Sequence, residues 1–277
     1  MDYKIENNKQ IIITKPLKLD CGQIIKDFPI AYETYGNLNK EKNNAILIFH
    51  ALTGDQFVAG NNPITNKDGW WTTAVGPGKA IDTEKYFVIC ANVLGGCMGS
   101  FGPTSINKEN NQTYGLNFPV ITIRDMVKAQ EALLEYLEIN KLLSVLGGSM
   151  GGMQLLQFCA LYPEKTFSAV PIASTASHNA QQIALNELAR QAIMSDPLWN
   201  KGNYYQDKTG SKNIRKVNVY RWDPSSGENP RVDTYEVDMD NCPSKVLDIL
   251  NKIKNEIDPS LAYRRSCAHG VCGSCAM

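Results

Sequence analysis

The most conspicuous reactive group in the sequence is a serine set among glycines, Ser149 in the run Gly147-Gly148-Ser149-Met150-Gly151-Gly152. The run follows a strand-like apolar stretch and precedes a helical pattern, which is the context that a G-x-S-x-G nucleophile turn requires. Glycines are needed on either side because the serine takes strained backbone angles and a neighbouring Cβ would collide with the adjoining strand or helix. The run predicts that Ser149 presents its hydroxyl to a substrate. The alternative is a glycine-rich turn around a buried serine.

Backbone amides near this serine could hold a developing oxyanion. The amide of Met150 opens the predicted helix, where unpaired N–H donors and the helix dipole favour negative charge. A second donor is expected from a loop after an earlier buried strand, and residues 50–54 (His-Ala-Leu-Thr-Gly) form such a loop. The hydroxyl of Ser149, the amide of Met150 and an amide of this loop together favour nucleophilic catalysis at a carbonyl carbon.

Three thiols near the end of the sequence form a second reactive cluster. Cys267, Cys272 and Cys275 have the C-x₄-C-x₂-C spacing of plant-type ferredoxins, which aims several thiolates at one pair of irons. A [2Fe–2S] cluster takes four ligands, so this set is incomplete, and Cys242 would need a different fold to join it. Two alternatives stay open: zinc held by the three thiols and His269, or thiols that stay reduced and bind nothing.

The elements around Ser149 alternate between strand and helix. Buried strands are predicted at 45–49, 86–91, 142–146 and 167–172, and helices at 122–137 and from Ser149 to just before Pro163. This alternation predicts an α/β fold with a parallel sheet that is covered on both faces.

The composition changes near residue 206. Residues 206–277 are about a quarter of the chain, yet they hold 21 of its 56 charged residues and only 4 of its 21 glycines. The pattern predicts strands at 216–221 and 231–237 and a helix from 246 to about 258. We therefore divide the chain into a domain at 1–206, a linker at 207–212 and a second domain at 213–277.

The first segment, residues 10–206, resembles the N-terminal part of homoserine O-acetyltransferase, an α/β-hydrolase-fold enzyme of methionine biosynthesis. The similarity is carried by runs at 50–54, 68–71, 76–83, 92–97, 102–105, 147–154 and 186–193. It implies that Ser149 takes an acyl group from acyl-CoA and passes it to the hydroxyl of L-homoserine. It also implies that the amides of Leu52 and Met150 are the oxyanion donors, that the acyl-CoA is a substrate and that no cofactor is needed. Acetyl- and succinyl-CoA both remain open as donors.

The same resemblance shows which parts the chain lacks. In this fold the acid and the histidine of the triad follow the serine on later loops, and neither is present here. His178 does not match the position of the triad histidine, and the family role of His50 is structural. Arg190 is at best a residue that shapes the pocket. We therefore expect the chain to be nearly inactive, and its sheet to have an open edge where later strands are missing.

The second segment, residues 213–277, resembles the N-terminal domain of the succinate dehydrogenase iron–sulfur subunit. The matching runs are 220–224, 252–259 and 264–267. The resemblance implies an electron-transfer module, with succinate dehydrogenase subunits as partners if this segment is functional. The fold class expected for the whole chain is a truncated α/β-hydrolase fold followed by a partial β-grasp, plant-type ferredoxin-like domain. A fused or misassembled coding sequence is the leading explanation, and a genuine gene fusion or a non-functional fragment are the alternatives.

Composition excludes other classes of protein. The chain has 277 residues with 28 basic and 28 acidic side chains, so its charge gives no electrostatic case for binding nucleic acid. Its apolar runs are far shorter than the roughly 20 residues that cross a bilayer. Its first residues lack the pattern of a secretory signal, which leads us to expect a cytoplasmic protein. A homodimer stays open.

Overall fold

The computed structural model describes residues 9–202, 214–221, 231–239 and 246–262. These residues fall into two compact units. Residues 9–202 form the first unit, and the three later ranges form the second.

A six-stranded sheet is the centre of the first unit. Its strands are β1 (Gln10–Ile13), β2 (Phe28–Tyr35), β3 (Ala45–Phe49), β4 (Phe87–Ala91), β5 (Leu142–Gly148) and β6 (Thr166–Ile172). They lie in the order β1-β2-β4-β3-β5-β6. The last four strands in this order are parallel, as predicted. The sheet as a whole is mixed, because β1 and β2 pair antiparallel at the other side.

Three helices accompany this sheet: α1 (Ile123–Tyr136), α2 (Met150–Leu161) and α3 (Ala180–Met194). The predicted start of α1 is confirmed, since Thr122 and Asp125 form a capping box in which each side chain accepts from the other's backbone amide. None of the helices in the described ranges is long and apolar enough to cross a membrane. Short helical turns and two-residue ladders fill the connections, namely Gly115–Asn117, Pro163–Lys165, Pro197–Gly202, Leu17–Lys18 with Ile24–Ile25, Asn61–Asn62 with Lys67–Asp68, Val75–Gly76 with Ile81–Asp82, and Ile106–Asn107 with Gln112–Thr113.

The core of the first unit lies around β3. Every residue of this strand is buried, and Phe49 at its end packs against Phe158 of α2 with ring centroids 5.8 Å apart. The fully buried Leu133 and Leu134 of α1 belong to the same cluster. This packing fixes the end of β3 against the helix that follows Ser149.

The prediction that the strand at 167–172 is buried on both faces is wrong. In β6 the five residues from Phe167 to Pro171 are exposed, and the side chain of Phe167 is 78% exposed. One edge of β6 pairs with β5, and within the described ranges the other edge has no partner strand. Its apolar composition suits burial, but the described part of the chain supplies no layer to cover it.

The second unit contains the strands β7 (Ile214–Arg221) and β8 (Arg231–Asp238), which pair antiparallel over their whole length. The helix α4 (Val246–Lys252) follows, and it continues as a π-helical turn over Ile253–Ile257. The predicted order of strand, strand and helix is confirmed. A small core holds the unit together, formed by Tyr235, Val237, Ile253 and Leu261.

Candidate functional site

Ser149 sits in a strained turn between β5 and α2. Its φ is 54° and its ψ is −120°, a conformation that L-residues rarely adopt and that costs on the order of 1–3 kcal/mol. The surrounding backbone enforces it. The amide of Ser149 donates to the carbonyl oxygen of Ile172 at 3.0 Å, and its own carbonyl oxygen accepts from the amides of Gly152 and Met153 and from the hydroxyl of Ser174. The turn therefore has the geometry that the glycine-rich run predicts.

The glycines of the run are required by close backbone approach. A Cβ on Gly151 would lie 2.0 Å from the carbonyl oxygen of Phe49, and one on Gly147 would lie 2.2 Å from the carbonyl oxygen of Gly151. A Cβ on Gly152 would lie 2.4 Å from that of Ser174. The first turn of α2 is thus pressed directly against the end of β3, and only glycine permits this contact.

This contact brings the loop at 50–54 to the start of α2. A Cβ on Gly151 would also lie 2.9 Å from the carbonyl oxygen of His50, so the loop leaves β3 beside the first turn of the helix. The loop turns sharply, with the amide of Gly54 donating to the carbonyl oxygen of Ala51 at 2.8 Å. Leu52 lies at its exposed tip. The two predicted oxyanion donors, Leu52 and Met150, therefore belong to adjoining segments.

His50 is fully buried and both of its ring nitrogens are engaged. The Nδ1 atom lies 2.7 Å from the carbonyl oxygen of Ala51, so it carries the proton and donates, while Nε2 accepts from the amide of Val93 at 3.2 Å. Burial lowers the pKa of this ring from 6.5 to about 4, because the charged form would lose its hydration. A neutral imidazole without a free nitrogen cannot take a proton from Ser149. It anchors the start of the loop instead.

The hydroxyl of Ser149 makes no hydrogen bond with any residue in the described ranges. His178 is exposed between β6 and α3, and Arg190 is an exposed residue of α3 that pairs with Glu187 on the same helix. The structure brings neither of them to the serine. The third histidine, His269, lies outside the described residues.

Sequence reasoning missed the groups that support the turn from a distance. Ser174 follows β6, and its hydroxyl donates to the carbonyl oxygen of Ser149 at 2.8 Å. The buried Gln130 of α1 donates to Gln154 of α2 at 3.1 Å, and Gln154 reaches the carbonyl oxygen of His50 at 3.5 Å. A glutamine within a helical pattern gives no signal of such a role. Only the packing of α1 on α2 makes the contact.

Cys267, Cys272 and Cys275 lie outside the described residues, as do Cys242 and the linker at 207–212. Within the described ranges no group of three or more His, Cys, Asp or Glu side chains could hold a metal ion.

A charged network lies on the described part of the second unit, just before the thiol loop in sequence. The carboxylate of Asp258 accepts from Arg221 at 2.6 Å, from the hydroxyl of Tyr235 at 2.6 Å and from the amide of Ser260 at 2.9 Å. The Ser260 and Tyr235 hydrogen bonds and the Arg221 charge hold the pKa of Asp258 well below its usual range. The network ties β7 and β8 to residues 258–260.

Comparison with known proteins finds the type of fold that the turn at Ser149 and the sheet indicate. Residues 44–239 match the family model of the alpha/beta hydrolase fold. The chain belongs to the α/β-hydrolase fold family. Residues 216–277 match the family model of a 2Fe-2S iron-sulfur cluster binding domain.

Individual relatives of this α/β-hydrolase chain are similar over its first three quarters. The homoserine O-acetyltransferase of Pelagibacter ubique (strain HTCC1062) is 65% identical over 209 residues, which cover 75% of this chain and 56% of the relative. The crystal structure of homoserine O-acetyltransferase from Bacillus anthracis superposes with a TM-score of 0.67 and 32% identity, covering 72% of this chain and 55% of that one. Esterase E22 gives a TM-score of 0.65 and 37% identity, covering 71% and 55%. The chain spans about half the length of these relatives.

Proposed function

We propose that the first unit is the nucleophile-bearing part of an acyltransferase of the homoserine O-acetyltransferase type, with acyl-CoA and L-homoserine as substrates. The observation that carries the proposal is the strained turn at Ser149, with φ 54°, between β5 and α2. The 65% identity to the Pelagibacter ubique enzyme supports the substrate class.

The reaction would proceed in two acyl transfers. In the first, the oxygen of Ser149 bonds to the acyl carbon, and the amides of Leu52 and Met150 hold the negative charge that moves to the carbonyl oxygen. The carbon–sulfur bond then breaks, and coenzyme A leaves as a thiol that carries the proton lost by the Ser149 hydroxyl. In the second, the hydroxyl of homoserine attacks the acyl carbon, the bond from that carbon to the Ser149 oxygen breaks, and the proton lost by homoserine returns to Ser149.

Both transfers need a group that accepts and returns a proton. His50 is excluded by its burial and its two hydrogen bonds, and neither His178 nor Arg190 makes a hydrogen bond to Ser149 in the described ranges. Loss of the base slows a serine enzyme by a factor on the order of 10⁶. Formation and removal of the acyl-serine are both slowed, so we expect acyl-serine to accumulate over hours without turnover.

Labelling with radioactive acetyl-CoA tests the proposal. The purified chain should take up less than one acetyl group per molecule, slowly, on the peptide that contains Ser149. The variant Ser149→Ala should take up none there, whereas Ser177→Ala, which changes an exposed serine, should label like the parent. An unlabelled parent chain, or label that survives in Ser149→Ala, would contradict the proposal.

The second candidate function is electron transfer by a [2Fe–2S] cluster on residues 213–277. The match of residues 216–277 to an iron–sulfur domain family favours it. Three thiolates in C-x₄-C-x₂-C spacing are the right ligand type, and one further ligand is needed. Cys267, Cys272 and Cys275 would hold the cluster, and when bound it would supply one-electron chemistry. Subunits of a succinate dehydrogenase would then be the expected partners.

A further inference from the structure

The segment that follows β6 makes two hydrogen bonds to the nucleophile residue, and the proposed reaction gives this segment no part. The carbonyl oxygen of Ile172 accepts from the amide of Ser149 at 3.0 Å, and the hydroxyl of Ser174 donates to the carbonyl oxygen of Ser149 at 2.8 Å. Two residues that are two positions apart thus reach both polar backbone groups of Ser149. Ala173, which lies between them, has a φ of 46°, a left-handed conformation that residues with a Cβ rarely adopt. Residues 172–174 therefore form a sharp turn that clamps Ser149.

The bond from Ser174 acts on the peptide group that carries the amide of Met150. The carbonyl of Ser149 and the N–H of Met150 belong to one peptide, and in a trans peptide these two groups point in opposite directions. The described ranges contain no cis peptide bond. A hydroxyl that fixes the carbonyl on one side therefore fixes the direction of the N–H on the other. Met150 is the first residue of α2, so its amide has no acceptor within the helix and can donate to a developing oxyanion.

Ser174 ties this peptide to the sheet. Two other donors hold the same carbonyl, the amides of Gly152 and Met153 at 2.9 and 3.2 Å, but both belong to α2 itself. The hydroxyl of Ser174 reaches the carbonyl because residue 152 is glycine, since a Cβ there would lie 2.6 Å from the Oγ atom of Ser174. A hydrogen bond on the carbonyl also polarises the peptide, which strengthens its N–H as a donor.

The other predicted oxyanion donor is held in the same way. The N–H of Leu52 shares its peptide with the carbonyl of Ala51. That carbonyl lies 2.7 Å from the Nδ1 atom of His50, which donates to it, and it also accepts from the amide of Gly54 at 2.8 Å. Each of the two peptides thus receives a side-chain hydrogen bond on its carbonyl, from a different part of the chain. This repetition favours a role in orienting the two amides over a role in packing alone.

We propose that Ser174 is a positioning residue, whose hydroxyl holds the Ser149–Met150 peptide so that the N–H of Met150 faces the oxygen of the acyl group. The part that concerns the acyl group rests on the proposed function, whereas the orientation of the peptide is a property of the folded chain. Removal of an oxyanion donor itself slows an enzyme by about 10²–10³-fold. Removal of the group that orients the donor should cost less, about tenfold.

Two measurements on the purified full-length chain test this role. The rate at which radioactive acetyl-CoA labels Ser149 should fall about tenfold in Ser174→Ala. The residual dipolar coupling of the Met150 N–H bond, measured by nuclear magnetic resonance, reports the direction of that bond without any reaction, and it should change in the same variant. Ser174→Thr keeps a hydroxyl and should retain both parent values, whereas Ser174→Val, which has the shape of threonine without its hydroxyl, should lose both.

Ser168→Ala is the matched control. Ser168 lies on β6 as well, and its hydroxyl donates to a carbonyl of β5, that of Leu143, at 3.0 Å. This variant loses the same kind of hydrogen bond away from the nucleophile, so its labelling rate and its Met150 coupling should equal those of the parent. Circular dichroism verifies that each variant is folded.

Three results would overturn the proposal: an unchanged Met150 coupling in Ser174→Ala, an unchanged labelling rate in that variant, or equal slowing in Ser168→Ala. Failure of the proposed function is distinguishable from these results. A parent chain that takes up no label contradicts the acyl transfer, and the dipolar coupling then decides by itself whether Ser174 orients the peptide. Labelling of a parent chain whose Met150 coupling does not depend on Ser174 contradicts only the positioning role.

Discussion

At the scale of single residues, the site depends on backbone strain that neighbouring groups hold in place. Ser149 keeps a positive φ because its amide and carbonyl are both tied, the latter by three donors. The hydroxyl itself has no hydrogen-bond partner in the described ranges. The reactive group is thus positioned by main-chain bonds, independently of any side-chain base.

The pH dependence of stability tests whether burial keeps the ring of His50 neutral. A solvated histidine has a pKa of 6.5, and burial lowers the pKa of His50 to about 4 in the folded chain. Between these values the unfolded chain therefore binds a proton that the folded chain does not. The free energy of unfolding should fall as pH drops from 6.5 to 4, by about 3 kcal/mol from this residue. Urea unfolding at pH 7, 6 and 5 measures the slope.

The variant His50→Gln removes the titrating ring and should flatten this slope, although it lowers stability at pH 7. The control His178→Asn removes an exposed ring and should leave the slope as it is. A parent chain whose stability does not change between pH 7 and 5 would show that the ring is not held neutral by burial.

The sequence allowed Ser149 to be predicted but not the groups that hold it. The residues of the G-x-S-x-G run lie within six positions, so the pattern is visible in one window, although Gly151 and Gly152 are required by contacts with the distant Phe49 and Ser174. The bonds of His50 to Val93 and of Ser174 to Ser149 span 43 and 25 residues. They exist only because β3, β4 and β6 end at the same edge of the sheet. No periodicity in the sequence indicates that these three strands end side by side.

At the scale of elements, each of the four predicted strands of the first unit is present, but its burial does not follow from composition alone. The apolar run of β3 is fully buried as expected, whereas the similar run of β6 is exposed. Composition indicates what a strand suits, but the covering layer comes from elsewhere in the fold. The strands β1 and β2 were missed because neither is a continuous buried run: β1 alternates between exposed and buried residues, and β2 mixes buried with half-buried ones. The mixed character of the sheet was therefore missed as well.

The junction of β3 and α2 makes a prediction at this scale. Gly151→Ala would place a Cβ 2.0 Å from a backbone carbonyl of a central strand, which cannot move aside. The free energy of unfolding should fall by about 3 kcal/mol or more, despite the better helix propensity of alanine. Gly60→Ala is the matched control, because its site has a φ of +65° but open space, so strain alone should cost roughly 1–2 kcal/mol. Equal losses in the two variants would contradict the close contact.

At the scale of the whole molecule, the chain combines two units whose cores share no residue. The first core gathers around β3, α1 and α2, and the second consists of Tyr235, Val237, Ile253 and Leu261. The two family matches, at 44–239 and 216–277, each centre on one of the units, although they overlap over residues 216–239. The proposed chemistries therefore depend on different sets of residues, an acyl-serine on one and thiolate-bound iron on the other.

This division predicts that one substitution can abolish acyl transfer and another can abolish iron binding, each without affecting the other. After anaerobic reconstitution with iron, sulfide and a small thiol that supplies the fourth ligand, the chain should hold two irons and two sulfides per molecule and absorb visible light, as a [2Fe–2S] cluster requires. Cys272→Ser should lose the iron and keep the acetyl label on Ser149, whereas Ser149→Ala should do the reverse. Cys21→Ser, which changes an exposed cysteine of the first unit, should keep both. Colourless, iron-free protein would refute the cluster, and zinc bound without sulfide would favour a zinc site instead.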